Sequence, residues 1–182
     1  MRGLFITLEG PEGSGKSTQA RKLSRYLRKI GFGNIITQEP GGTKIGQKIR
    51  RILLSPTSKE MNAWTELFLY LAVRTQHVEE VIRPALSAGK IVISDRFTDA
   101  TVAYQSYGRG LDRTLVNDLN RLAAREIKPD LTLLLDIEIP QGIKRARGKG
   151  KGDRIEQEKI EFHQRVRNGY LKSAKEGKSR RE

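Results

Sequence analysis

The chain has 182 residues, of which 36% are hydrophobic and 31% charged, and its formal net charge at pH 7 is +14. This composition excludes a disordered chain and predicts a single domain, residues 1–182, with a hydrophobic core. The absence of cysteine excludes disulfides and cysteine-ligated zinc. The longest apolar run, Leu131–Ile137, is too short to cross a bilayer, and we find no signal-peptide pattern, so we expect a cytoplasmic protein without membrane association.

Predicted strands and helices alternate along the chain. Apolar residues after Lys16 recur at three- and four-residue spacing until Gly31, which is typical of an amphipathic helix with a glycine stop. The predicted strands are "LFITLEG" (Leu4–Gly10), "NIIT" (Asn34–Thr37), "KIVISD" (Lys90–Asp95) and "LTLLLD" (Leu131–Asp136), and two further helices are predicted at Lys44–Leu54 and Trp64–Ile82. Such alternation indicates βαβ units and an α/β fold with a central parallel sheet flanked by helices.

The segment "GPEGSGKST" (Gly10–Thr18), between the first strand and the first helix, matches the phosphate-binding P-loop pattern. Glycines let backbone N–H groups approach phosphate oxygens, and the helix start adds partial positive charge. Lys16 is expected to reach the β- and γ-phosphates and Ser17 to ligate Mg²⁺. We therefore predict that a nucleoside triphosphate binds at the loop residues Gly10, Pro11, Gly13, Ser14, Gly15, Lys16, Ser17 and Thr18.

The P-loop alone leaves the reaction open, because motors, switch GTPases, DNA-binding ATPases and small-molecule kinases share it. Much of the positive charge lies after Lys144, in "KRARGKGKGDR" (Lys144–Arg154) and at the C-terminal end. A strongly basic chain can bind nucleic acid or smaller polyanions such as nucleotides. We find no aromatic residues interleaved along a basic groove, so a nucleic-acid-binding ATPase is the less favoured alternative.

Six segments, in this order, resemble a bacterial-type thymidylate kinase: "GPEGSGKSTQ", "QEPGGTKIGQKIR", "LFLYLAVRTQH", "SDRFTDATVAYQSYGRG", "KPDLTLLLD" and "FHQRVRNGYL". The resemblance covers about Met1–Lys172. It implies a three-layer P-loop nucleoside monophosphate kinase fold. It also implies transfer of the γ-phosphate of ATP to dTMP, with Mg²⁺ as the metal ion.

The same resemblance implies the acceptor site. The carboxylate of Glu12, inside the P-loop, accepts a hydrogen bond from the 3′-hydroxyl of the acceptor sugar, a role that suits a group with no donor. Arg96 grips the dTMP phosphate, Arg74 faces a thymine carbonyl, and Tyr104 packs beneath the deoxyribose and excludes a 2′-hydroxyl. The remaining expected acceptor-site residues are Pro40, Arg51, Tyr70, Thr101 and Gln105.

Asp95 and Arg96 follow a predicted parallel strand, where ligands gather at the carboxyl edge of the sheet. We expect Asp95 to join Ser17 in holding Mg²⁺ or to orient the acceptor phosphate. Because the P-loop lacks an arginine, a flexible basic lid at about residues 144–155 is expected to supply charge to the transferring phosphoryl group. Its candidates are Arg145, Arg147 and Arg154, with Lys149 and Lys151 as weaker ones.

The sequence departs from the family pattern at three places. Gln38 replaces an arginine before "EPGGT", and Tyr70 replaces the phenylalanine that stacks on thymine. The usual C-terminal strand and final helix have no counterpart, so we expect a sheet without its fifth strand. The family implies a homodimer built on apolar helices. A kinase of another monophosphate, dUMP included, remains an alternative within the enzymes.

Overall fold

The computed structural model describes residues 3–148, 150 and 152–178. A central sheet is formed by β1 (Phe5–Glu9), β2 (Asn34–Gln38), β3 (Ile91–Asp95) and β4 (Leu131–Leu134). All three pairings are parallel, and the strand order is β2-β3-β1-β4. The predicted parallel α/β sheet is therefore confirmed, and in the described part of the chain it has four strands.

Eight α-helices surround the sheet within the described ranges. They are α1 (Lys16–Lys29), α2 (Lys44–Leu54), α3 (Ala63–His77), α4 (Arg83–Ser87), α5 (Thr98–Thr101), α6 (Arg113–Ala123), α7 (Ile139–Arg147) and α8 (Ile160–Lys178). Two π-helical segments, Val78–Ile82 and Val102–Gly108, continue α3 into α4 and extend α5. None of these helices combines the length and apolarity that a bilayer crossing requires.

The core lies on both faces of the sheet because side chains alternate along each strand. On one face, Ile91 and Ile93 of β3 pack with Ala20 of α1. On the other face, Val92 packs with Phe5 and with the Val78–Ile82 segment. The sheet is thus covered on both sides, which explains why its two central strands are nearly continuous apolar runs.

The α8 helix packs against the Val102–Gly108 segment and encloses the carboxyl side of the sheet. Phe162, Val166 and Tyr170 of α8 form a buried cluster with Ala103 and Tyr104. This contact places the tyrosine hydroxyls of both elements near the loop that follows β1. The α8 helix thereby supports the Val102–Gly108 segment from behind, with Phe162, Val166 and Tyr170 packed against it.

Candidate active site

The P-loop lies between β1 and α1 at the carboxyl end of the sheet, as the sequence predicts. Gly10, Gly13 and Gly15 have φ angles of 140°, 70° and 95°, conformations that favour glycine. A Cβ at Gly13 would lie 2.0 Å from the carbonyl oxygen of Gly142 in α7. The loop therefore packs backbone to backbone against the helix that leads into the predicted lid.

Lys16 folds back over the P-loop. Its Nζ donates hydrogen bonds to the carbonyl oxygens of Gly10 (3.1 Å) and Pro11 (2.8 Å) and to the Ser14 hydroxyl (3.3 Å). Burial, reinforced by the positive charge of Arg96, lowers the pKa of Lys16 to about 8. Lys16 begins α1, whose first turn contains no acidic residue. The loop therefore presents a buried cation and a helix N-terminus, which together suit a polyphosphate.

Ser17 and Asp95 meet beside this loop, at the start of α1 and the end of β3. The Ser17 hydroxyl donates a hydrogen bond to the Asp95 carboxylate. Hydroxyl and carboxylate oxygens are the ligand types that Mg²⁺ prefers, and a carboxylate next to a phosphate site is the usual arrangement. The residues predicted to hold the metal ion are thus neighbours, and their chemistry fits Mg²⁺. Thr18, the last residue of the predicted loop, is exposed in the first turn of α1.

Arg96 is the centre of a polar cluster next to the P-loop. One of its terminal nitrogens (Nη2) contacts Glu12 (2.7 Å) and Tyr104 (3.1 Å), and the other (Nη1) contacts Gly10 (3.0 Å) and Tyr170 (2.6 Å). The Tyr104 hydroxyl also donates to Glu12, at 2.9 Å. Arg96 has a φ of 75°, an uncommon backbone conformation that costs of order 1 kcal/mol or more and that clusters at functional sites.

These contacts set the charge of Glu12. Burial by itself raises the pKa of the Glu12 carboxyl, but Arg96 and Lys16 more than offset burial and hold the pKa below its ordinary value. Glu12 is therefore an anion at neutral pH. Its negative charge is balanced by two neighbouring cations, which explains how the P-loop tolerates a carboxylate.

A cleft extends from this cluster toward α2, α3 and the Val102–Gly108 segment. Eight of the nine residues that the sequence assigns to the acceptor line it: Glu12, Pro40, Tyr70, Arg74, Arg96, Thr101, Tyr104 and Gln105. Arg51 is exposed on α2, while its neighbour Arg50 lines the cleft and donates to the Pro40 carbonyl at 2.6 Å. Because successive helical residues point about 100° apart, only one of the two arginines can face the cleft.

Arg74 and Thr101 form the end wall of this cleft. Arg74 is only 1% exposed and Thr101 only 2%, and the Arg74 guanidinium donates to the Thr101 hydroxyl at 2.9 Å. Tyr70 is half-buried, and burial next to Glu66 raises the pKa of its hydroxyl, which stays protonated. The wall therefore combines a fixed cation, a hydroxyl and an aromatic ring.

The three predicted lid arginines occupy different environments. Arg145 is exposed on α7. Arg147 is half-buried and donates to the Glu156 carbonyl oxygen. Arg154 is buried, donates to the Leu53 carbonyl at 2.7 Å and forms an ion pair with Glu66, with the two atoms 2.6 Å apart but poorly aligned for a hydrogen bond. Lys149 and Lys151 lie outside the described residues.

The structure adds site residues that the sequence reasoning did not single out. Asp153 and Glu156, next to Arg154, line the acceptor cleft, and Tyr170 contacts Arg96. Glu39 binds Arg74 at 2.7 Å. Two signals were available, since Glu39 lies in "EPGGT" and Tyr170 in "RVRNGYL", both of which carried the resemblance. Asp153 and Glu156 had no such signal, because their position depends on how the chain between α7 and α8 folds over the cleft.

Comparisons with known proteins agree with this geometry. The family model for thymidylate kinase matches residues 8–180. A thymidylate kinase of Halothermothrix orenii is 52% identical over 179 residues, covering 97% of this chain and 86% of the relative. One of Pseudomonas fluorescens is 48% identical over 180 residues, with coverages of 99% and 86%.

A solved structure gives the same result at greater evolutionary distance. The crystal structure of thymidylate kinase from Ehrlichia chaffeensis matches with a TM-score of 0.81 at 35% identity and covers 97% of this chain and 89% of that chain. The same family is indicated by the fold, by the P-loop with its internal carboxylate and by the sequence relatives. The chain therefore belongs to the thymidylate kinase family.

Proposed function

We infer that this chain transfers the terminal phosphoryl group of ATP to dTMP, giving dTDP and ADP. One observation carries the inference: Glu12 belongs to the P-loop and also lines the adjoining cleft. The donor site and the acceptor site therefore share a wall. This arrangement suits direct transfer between two bound nucleotides, because both can be held with their phosphates facing each other.

The donor is held by the P-loop. Lys16 and the amides of Gly10–Thr18 bind the phosphates of ATP, and Ser17 with Asp95 would hold Mg²⁺. When bound, the metal ion neutralises charge on the phosphates and orients them. Lys16 exchanges its present carbonyl partners for phosphate oxygens, which also restores the charge that burial disfavours.

The acceptor is held by Arg96 and Glu12. The terminal N–H groups of Arg96 now contact protein groups, and on binding two of them exchange these partners for oxygens of the dTMP phosphate. Glu12 accepts from the 3′-hydroxyl of the sugar. An acceptor phosphate oxygen forms a bond to the γ-phosphorus of ATP as the bond to the β,γ-bridging oxygen breaks, and ADP leaves. The attacking oxygen is already anionic near neutral pH, so no residue is needed to remove a proton from it.

The remaining cleft residues select the nucleoside. Tyr70 stacks on thymine, Thr101 and Gln105 meet the edge of the base, and Arg74 lies against a carbonyl. Tyr104 is 6% exposed and is held by Glu12 and Arg96 beneath the sugar position. A ring fixed in this way leaves no room for a 2′-hydroxyl and excludes ribonucleotides.

A basic lid at about residues 144–155 completes the site when it closes. Arg145 and Arg147 are the cations that can turn toward the transferred group. Arg145 is exposed, and the hydrogen bonds of Arg147 to described residues go to a backbone carbonyl and not to a carboxylate. Arg154 instead fixes the end of the lid to α2 and α3. Closure excludes water and limits wasteful hydrolysis of ATP. We propose that residues 1–182 form one such kinase domain.

We also propose that the enzyme is a cytoplasmic homodimer. Ile45, Ile52 and Phe68 are each at least half exposed, although they lie on helices whose apolar patterns are typical of buried faces. Pairing of α2 and α3 with a second copy would remove this apolar surface from water. A kinase of nucleotide synthesis finds ATP and dTMP in the cytoplasm, which supports that location.

The test is ADP release, coupled to a spectroscopic signal, with ATP and Mg²⁺ and with dTMP, dUMP, dCMP, dGMP or UMP as acceptor. We expect a strong preference for dTMP and rejection of UMP. Replacement Tyr104→Ala should admit UMP, while Tyr26→Ala, at an exposed position on α1, serves as the matched control. A folded chain that no monophosphate stimulates would overturn the proposed function.

A further inference from the structure

The guanidinium of Arg74 has all five of its N–H groups engaged within the described part of the protein. Nε and Nη2 donate to the same oxygen of Glu39, at 2.9 and 2.7 Å. Nη2 also donates to the Phe97 carbonyl at 2.9 Å, and Nη1 donates to Thr101 at 2.9 Å and Asn120 at 2.5 Å. An arginine has five such donors, so these partners fix the orientation of the whole guanidinium.

Glu39 is itself fixed by a contact with the buried His77. Its second carboxylate oxygen lies 2.9 Å from Nδ1 of His77, and Nε2 of His77 lies 2.5 Å from the Thr37 hydroxyl. His77 is fully buried and Glu39 is 5% exposed. Burial would raise the pKa of Glu39, but Arg74 and His77 hold that pKa below its ordinary value. The carboxylate is therefore a fixed anion.

Asn120 holds Arg74 from the opposite side. It lies on α6 and is 3% exposed, and it does not line the acceptor cleft. Its amide nitrogen donates to the Thr98 carbonyl at 3.1 Å, which leaves its side-chain oxygen to accept from Arg74. Asn120 therefore reaches the acceptor cleft indirectly, through the Arg74 guanidinium and through the start of α5.

This arrangement determines whether the end wall of the cleft, formed by Arg74 and Thr101, donates or accepts a hydrogen bond. Thr101 already accepts a hydrogen bond from Arg74, so its own proton is free to donate into the cleft. Next to a fixed cation, a donating hydroxyl suits a carbonyl oxygen and opposes an exocyclic amino group. Thymine presents a carbonyl at its position 4, whereas cytosine presents an amino group there.

We propose that Asn120 and Glu39 are positioning residues for recognition of the acceptor base: they lock the Arg74 guanidinium and thereby orient Thr101. The proposal rests on the inferred dTMP kinase activity. Asn120 and Glu39 touch no reacting atom. They hold the Arg74 side chain in one conformation before the acceptor binds, which avoids the entropic cost of ordering a long arginine side chain on binding.

The test compares Asn120→Ala with the wild-type chain in steady-state assays with dTMP and dCMP. The alanine removes the acceptor of one Arg74 N–H, and the freed guanidinium can rotate. We expect KM for dTMP to rise about tenfold with kcat within twofold, and the dTMP to dCMP ratio of kcat/KM to fall about tenfold. KM for ATP should stay unchanged, because the P-loop is not touched.

Two further variants on α6 serve as controls. Asn117→Ala changes an exposed asparagine of the same helix that has no contact with Arg74, and it should behave as wild type. Asn120→Asp restores an oxygen that accepts from Arg74 and should recover at least threefold of the lost dTMP affinity. Recovery is partial because the second carboxylate oxygen then faces the Thr98 carbonyl.

The failures are distinguishable. A wild-type chain inactive on dTMP overturns the proposed function. A folded and active Asn120→Ala variant with unchanged KM for dTMP and unchanged base preference overturns the positioning role. An equal rise in KM for dTMP, dCMP and ATP overturns it as well. Should that variant fail to fold, Glu39→Gln decides. It keeps the size of the side chain but removes the negative charge that faces Nε and Nη2 of Arg74. An unchanged KM for dTMP would then refute the proposal.

Discussion

The buried carboxyl of Glu9 makes the stability of this protein depend on pH in a direction opposite to that of most carboxylates. Glu9 ends β1 and is 1% exposed. One oxygen accepts from the Phe97 backbone N–H at 2.7 Å, and the other has no hydrogen-bond partner among the described residues. Burial, with the nearby Asp99 carboxylate, raises the pKa of Glu9 from 4.5 to about 8.

The sign and size of the effect follow from this pKa. Between about pH 4.5 and 8 the unfolded chain has lost the proton of Glu9 while the folded chain retains it, so the folded state is penalised increasingly as pH rises. Each pH unit corresponds to about 1.4 kcal/mol, which sets an upper limit of about 5 kcal/mol by pH 8. Below about pH 4.5 both states are protonated and the contribution vanishes.

Replacement Glu9→Gln isolates this contribution, because the amide keeps the acceptor for Phe97 and cannot ionise. In denaturant unfolding from pH 5 to 9, the stability of the variant relative to the wild type should rise with pH, by up to about 4 kcal/mol over this range. Glu60→Gln, at an exposed position, should run parallel to the wild type. Parallel profiles for Glu9→Gln and the wild type would refute the reasoning.

Three other predictions concern the P-loop and the lid. Since the pKa of Lys16 is about 8 in the free protein, KM for ATP should rise by up to about tenfold per pH unit above pH 8, and a KM constant to pH 9.5 would contradict this. In Gly142→Ala the new Cβ would lie 2.4 Å from the Glu12 carbonyl oxygen and would displace the P-loop backbone. The KM for ATP should therefore rise, although alanine favours the helical conformation. An unchanged KM for ATP would exclude the clash. Replacement Arg154→Met removes one of the cations paired with the buried Glu66 carboxylate and should lower the unfolding free energy by about 3 kcal/mol, measured by chemical denaturation. A loss below about 1 kcal/mol would contradict this and would show that the remaining ion pair with Arg109 is sufficient to stabilise Glu66.

Local patterns in the sequence determined the order and type of the main elements. The helix predicted at Lys44–Leu54 has the same bounds in the structure, because its apolar spacing and the turn before it act over a few residues. The P-loop is likewise local: its glycines, lysine and serine are consecutive, and the flanking strand and helix are read from neighbouring residues. The resemblance to thymidylate kinases rested on such contiguous segments.

The tertiary structure decided which residues are paired and which are free. The sequence presents Arg154 as one more cation of a basic run, yet it is buried against Glu66 of α3 because the chain after α7 folds back over α2. Nothing local separates Arg50 from Arg51, since the face of α2 that meets the cleft depends on its docking. The apolar pattern of α2 likewise predicts a buried face, but Ile45 and Ile52 are half exposed.

Arg74 shows most clearly the difference between what the sequence determines and what tertiary packing decides. Its place on a helix, and its likeness to a base-binding arginine, come from the sequence. Its five hydrogen bonds come from Glu39, Phe97, Thr101 and Asn120, residues far apart in the chain that meet only because β2, α3, α5 and α6 converge at one edge of the sheet. Sequence therefore determined the elements and the phosphate site, whereas long-range packing decided which charges remain free to meet a ligand.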